Sequence, residues 1–228
     1  MRKLVIGAAA GISLAFAAAC SDAPSEPVPQ VEQAELKVLH ATAGVGALDV
    51  DVGDTRVITG LSSAKSAKTL VPAGMQRVRI RQGATLLADI QTLLTTEHVN
   101  VVTLANGAAQ VSATVISDTG TAATNRANIR VINVASGITT DPTSMHLLIN
   151  YPGVSSDSTA KLGIDTKIAS HGTLMYFDPG EFRFRLVAQG SSTVLAERLV
   201  TVNAGEKRAV VIERSEDGTY TMQVVIEQ

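Results

Sequence analysis

The 228-residue chain contains no tryptophan, and aromatic residues make up only 3% of it. Its core must therefore be assembled from Val, Leu, Ile and Ala, and the β-branched members of that set favour strands. A single cysteine excludes an internal disulfide and a cysteine-rich zinc site, so packing alone must hold the fold together. Charge of one sign is lacking too. Nineteen basic residues stand against 21 acidic ones, a net charge of −2, and nothing there draws the molecule to nucleic acid. After residue 34 no segment sustains an amphipathic helical period for three turns. What remains, 45% apolar and 18% charged, is the composition of a globular chain rather than a disordered one.

The N-terminus opens with basic Met1-Arg2-Lys3, and Leu4 to Ala19 is apolar or small with one serine. Sixteen helical residues would cover about 24 Å, short of the roughly 30 Å hydrocarbon core. Residues 1–19 therefore read as a cleaved signal peptide rather than a membrane span. The run ends in Phe16-Ala17-Ala18-Ala19-Cys20, which resembles the lipobox of bacterial lipoproteins, although Ala17 stands where that motif prefers Leu. The resemblance implies a diacylglycerol anchor on Cys20. The competing reading is an ordinary secretory signal that leaves a free thiol. Ser21, rather than Asp, follows the cysteine, which implies the outer membrane over the inner in a host with two. Residues 20–34 then carry Pro24, Pro27 and Pro29 among Ser, Glu and Gln, the composition of a flexible, extended tether.

Beyond the tether the sequence repeats itself. Leu36-Lys37-Val38-Leu39 returns as Ile129-Arg130-Val131-Ile132, Arg77-Val78-Arg79-Ile80 as Arg183-Phe184-Arg185-Leu186, and Leu87-Ala88-Asp89 as Leu195-Ala196-Glu197. Each copy contains short segments with period-two alternation, such as Leu48-Asp49-Val50-Asp51-Val52, bounded by turn residues such as Gly53-Asp54. The expectation is all-β: two tandem antiparallel β-sandwiches, immunoglobulin- or transthyretin-like, over 35–117 and 128–228. The polar stretch 118–127 (DTGTAATNRA) reads as a linker between them.

The run VLHATAGVGALDVDVGDTRVITGL, followed by LVPAGMQRVRI, resembles the DUF4397 domain of bacterial surface and secreted proteins. His40-Ala41, Leu48-Asp49-Val50, Gly53 and Pro72-Ala73-Gly74 carry the resemblance; Thr42-Ala43 replaces the usual Ser-Pro, and the second copy has Asn133 in place of the histidine. The resemblance implies a β-sandwich in an extracytoplasmic setting and brings no catalytic residue with it.

No constellation in the sequence carries enzyme chemistry. Asp49, Asp51 and Asp54 superficially resemble a calcium loop, but Gly60 occupies the position where the chelating glutamate belongs. Ser62-x-x-Lys65 and Ser158-x-x-Lys161 match a penicillin-binding nucleophile pattern without its companion elements. His40, His98, His146 and His171 lack zinc-site spacing; His40 reads as a packing residue and the other three as surface. Arg77, Arg79 and Arg81, and again Arg183 and Arg185, line strand faces that read either as solvated or as an anion groove. Tyr151, in the polar loop 150–161, is the one candidate exposed aromatic anchor for a sugar. The sequence thus points to a non-enzymatic, lipid-anchored envelope protein without metal or cofactor, whose sandwiches act as interaction or spacer modules for an envelope protein. The alternative is recognition of a glycan or anionic polymer through Tyr151, Arg183 and Arg185.

Overall fold

A computed structural model describes residues 31–106, 111–135, 145–150, 164–165, 173–188, 192–215 and 217–227. Among them are sixteen strands and no helix. The first eight are β1 (Gln33–His40), β2 (Leu48–Val52), β3 (Thr55–Leu61), β4 (Lys65–Pro72), β5 (Gly74–Gln82), β6 (Thr85–Leu94), β7 (Val99–Asn106) and β8 (Val111–Asp118). The second eight are β9 (Ala127–Asn133), β10 (Met145–Asn150), β11 (Ile164–Asp165), β12 (Met175–Phe177), β13 (Gly180–Ala188), β14 (Val194–Val202), β15 (Lys207–Arg214) and β16 (Tyr220–Glu227).

In the first half β4-β1-β7-β8 form one sheet and β3-β2-β5-β6 the other; in the second half the orders are β12-β9-β15-β16 and β11-β10-β13-β14. Adding eight to every strand number of the first half yields the second, so both halves have one strand order. Most neighbours are antiparallel, but β1 lies parallel to β7 and β9 parallel to β15. A parallel neighbour cannot be reached by a hairpin. The chain therefore crosses to the facing sheet and back between β1 and β7, which departs from the purely antiparallel expectation.

Alternation explains the cores. The even positions of β1, Ala34, Leu36 and Val38, are fully buried against Val50, Val78 and Ile80 of the facing sheet. In the second half Ile129 and Val131 pack with Phe182, Phe184 and Val210. The opposite faces of the inner sheets are apolar as well. Leu39, Val101 and Ile116 of the first half form a third cluster with Ile132, Val211 and Val225 of the second. The inner strands are thus buried on both sides, which is why their sequences lack a clean polar face.

The two inner sheets are continuous through one edge, where β16 meets β4 in a parallel bridge at Ile226 and Lys65. The Ile226 amide donates to the Ala64 carbonyl at 3.2 Å, and Ser66 Oγ donates to the Ile226 carbonyl at 3.0 Å. Residues 31–228 accordingly form one compact unit. The 118–127 stretch is tied down rather than slack. Asp118 and Ala127 are buried, the Ala123 amide donates to Asn128 Oδ1 at 2.7 Å, and the Tyr176 hydroxyl donates to the Thr121 carbonyl at 2.8 Å. Gln33 and Ala34, read as the end of the tether, belong to β1, with Ala34 in the core.

Candidate functional site

A group of five ionisable side chains lies between the halves. Lys37 of β1, Asp118 of β8, Arg130 of β9, Lys207 of β15 and Glu227 of β16 form one network. Glu227 Oε2 lies 3.2 Å from Lys37 Nζ and 3.7 Å from Lys207 Nζ, and its Oε1 lies 2.7 Å from Arg130 Nε. That last contact is Coulombic, because the Arg130 N–H does not point at the oxygen. Arg130 Nη2 bonds Asp118, which also accepts from Lys207 Nζ at 2.7 Å. Burial opposes ionisation of Asp118, yet the Lys207 hydrogen bond and the Arg130 charge outweigh it and hold the carboxyl below its ordinary range. Burial pushes the Lys37 ammonium down, and Glu227 offsets this only in part. Three cations share two carboxylates here. The cluster is largely closed to solvent, with Glu227 and Arg130 side chains 0% exposed and Lys207 12%, and it joins the halves.

The outer face of the first half is charged and internally paired. Arg56 reaches Asp49 at 2.9 Å and Asp51 at 3.0 Å, and Arg81 reaches Asp51 at 2.9 Å. Arg77 donates to Asp89 at 2.8 Å, and Arg79 contacts Asp54 at 3.0 Å and the Gly53 carbonyl. Four arginines meet four aspartates. Partial burial opposes Asp51 ionisation, but hydrogen bonds from Arg56 and Arg81 prevail and lower its pKa. The carboxylates read as a calcium loop are thus spent on guanidinium groups, and no cluster of three metal-ligating side chains occurs among the described residues. Gly53, at a φ of +59°, makes the two-residue turn between β2 and β3, where a side chain would be strained.

The sequence candidates fall in different places. Arg183 and Arg185 share the outer face of β13, with Arg183 Nε 3.8 Å from Glu197 and Arg185 Nη2 donating to Asn150 Oδ1 at 2.8 Å. Tyr151, Cys20, His171 and the Ser158–Lys161 pattern lie outside the described residues, so their meeting with the arginine face is not seen. Ser62 lies in a turn before β4, not at the start of a helix. His40 is buried, its Nε2 3.0 Å from the Gly46 carbonyl and its Nδ1 2.8 Å from Thr42 Oγ1. Burial lowers its pKa, and the Gly46 hydrogen bond only partly opposes this. Phe182 and Phe184 are core residues, with ring centroids 6.4 Å apart.

One recess of about 320 Å³ opens at the seam between the halves. Lys65 approaches it from β4, Arg198 from β14 and Arg208 from β15, over an apolar floor that includes Val200, Val224 and Ile226. Arg208 is held by Glu206 at 2.9 Å. Lys65 and Arg198 are exposed and make no ion pair among the described residues. Sequence reasoning missed this site because Lys65 lies more than a hundred residues from Arg198 and Arg208, which themselves stand on different strands. The one signal available was a break in the repeat: after Leu87-Ala88-Asp89 comes Ile90, while after Leu195-Ala196-Glu197 comes Arg198.

No curated protein sequence matches the chain. Among solved structures, the chain is similar to the family-26 carbohydrate-binding module CBMbc of Amy13K from Eubacterium rectale, crystallised with maltoheptaose, at 11% identity and a TM-score of 0.32. That alignment covers 86% of this chain and 97% of the other. A streptococcal virulence factor described as binding α-glucan aligns at 12% identity and a TM-score of 0.27, over 83% and 97% of the two chains. Residues 34–140, from β1 to beyond β9, match the family described as Domain of unknown function (DUF4397).

Proposed function

We propose that this is a non-catalytic, lipid-anchored protein of the bacterial cell envelope, whose two sandwich halves act as one rigid binding module joined to its lipid anchor through residues 20–32. The observation that carries the reading is the fused architecture. A third apolar cluster and a buried five-residue ion network lock the halves into one body, as suits a platform rather than beads on a string. The ionisable clusters support the non-catalytic part: those between the halves and on the first half's outer face are paired internally, and neither presents a nucleophile beside a base.

The anchor reading rests on the Cys20 motif and gains support from the end of the fold where the tether arrives. Val31, Leu70, Met75 and Leu93 are all exposed there, and the registers Gln33 to Pro72 and Gly74 to Leu94 place them near the ends of β1, β4, β5 and β6. Apolar side chains at that end suit a position close to lipid. In membrane fractionation, the wild-type chain is expected in the membrane pellet and Cys20→Ser in the soluble fraction. Equal partition of both would overturn the anchor. Crosslinking in cells is expected to recover a protein partner. Retention on a polysaccharide that Tyr151→Ala or Arg183→Ala abolishes would instead favour a glycan-binding function through the second half.

A further inference from the structure

We infer that the seam recess at Lys65, Arg198 and Arg208 binds an extended acidic peptide, which adds as a strand to the free edge of β14. This deepens the reading of the protein as a binding module and does not depend on the lipid anchor.

Three observations converge. First, β14 ends the order β11-β10-β13-β14 and has no second strand neighbour among the described residues. The recess is lined by four successive residues of that strand, Arg198 through Thr201. Side chains on a strand alternate between faces, so a run of four can border one groove only if the groove runs along the strand's backbone edge. A strand edge offers unpaired N–H and C=O groups to an incoming chain.

Second, two of the three cations of the recess are unpaired, one from each half. Lys65 belongs to the first half and Arg198 to the second, and neither has an ion-pair partner among the described residues. The fold does not require Arg198. The repeat alignment puts Ile90 of the first half where Arg198 stands, and Ile90 packs against the first core. Edge cations alone can serve only to block aggregation. Here they converge across an apolar floor of Val200, Val224 and Ile226, which suits alternating acidic and aliphatic side chains.

Third, no aromatic residue lines the recess. Sugar rings are ordinarily held on an aromatic platform, whereas strand addition draws its affinity from main-chain hydrogen bonds and needs none. Beside the recess, Ala64 holds a φ of 60°, the one non-glycine residue in left-handed backbone among the described residues, while its carbonyl accepts the Ile226 amide. Strained backbone of this kind persists where the surroundings fix it, and it concentrates at binding sites.

The test is a titration of the ¹⁵N-labelled chain from residue 20, carrying Cys20→Ser, with a capped octapeptide of alternating Glu and Val. Amide shifts are expected at Arg198–Thr201 and at Ala64 and Lys65. The double variant Arg198→Glu/Lys65→Glu should weaken binding by at least about tenfold with its thermal midpoint unchanged. A Gln-Val analogue should bind similarly weakly, and alternate N-methylation of the peptide should abolish binding. No shift at these amides with millimolar peptide overturns the proposal, as does binding that the double variant leaves intact. Polygalacturonate shifting the same amides while the peptide does not would make the recess a saccharide site and equally overturn it. Membrane fractionation is untouched by any of these results, so the anchor and the groove fail separately.

Discussion

Replacing Glu227 by Gln preserves shape and removes one of only two carboxylates that three buried cations share. Lys37 Nζ at 3.2 Å, Arg130 Nε at 2.7 Å and Lys207 Nζ at 3.7 Å would then share Asp118 alone. Loss of one partner from a buried ion pair costs about 3–5 kcal/mol, because the charges left behind stay desolvated. Against a total stability of about 5–15 kcal/mol, that is a large fraction. Lys37→Met should behave differently. Its ammonium is already pushed down by burial and repelled by Lys207, and removing it leaves two cations facing two carboxylates. The expected cost is under about 1 kcal/mol, or a slight gain. The double variant restores the original charge excess, so the pair should couple by about 1–3 kcal/mol. Urea unfolding followed by far-ultraviolet circular dichroism measures all four chains, and the absence of tryptophan makes it the natural probe. If Glu227→Gln lies within about 0.5 kcal/mol of wild type, the network behaves as an exposed surface pair and the reasoning fails. Equal costs for Lys37→Met and Glu227→Gln would refute the charge count.

Ala64→Gly should stabilise the fold by up to about 1 kcal/mol, since a φ of 60° disfavours any Cβ; denaturant titration showing a loss would mean the alanine methyl packs more than the strain costs. His40 is kept neutral by burial, so its folded pKa lies beneath the unfolded value of about 6.5. The unfolded chain takes up that proton first, and stability should decline as pH falls below about 6.5 and level off beneath the folded value. Thermal midpoints across that range should show the decline, and His40→Gln should flatten it. The Asp118 pKa is lowered as well: its contribution is complete above the unfolded carboxylate range, about 4, and is lost as pH falls through its lowered folded value. Asp118→Asn should remove that acid-side loss while lowering stability at neutral pH.

Much of the architecture can be read from particular residues. Leu48-Asp49-Val50-Asp51-Val52 alternates as a half-buried strand must, and it forms β2 with Val50 in the core and Asp51 on the Arg56 and Arg81 face. The repeat alignment placed Lys37 opposite Arg130, and both are buried in the joining network. Their burial was latent in the pattern: Leu36-Lys37-Val38-Leu39 and Ile129-Arg130-Val131-Ile132 are apolar on both sides of one basic residue, as befits strands covered on both faces. Composition could not show how 118–127 is anchored, because a Gly- and Thr-rich stretch satisfies its polar groups with specific partners as readily as with water. Only the break in the repeat at Arg198 hinted at the recess. Lys65 of the first half joins Arg198 and Arg208 of the second only where β4 meets β16, a pairing set by two edges that no local spacing encodes.

The account stands or falls on the halves forming one body. Differential scanning calorimetry of the chain from residue 20 with Cys20→Ser tests this directly. A single transition is expected, with calorimetric and van't Hoff enthalpies equal, and Glu227→Gln should shift that whole transition downward. Two transitions in the wild-type chain, only one of them moved by Glu227→Gln, would show independent domains and contradict the fused module.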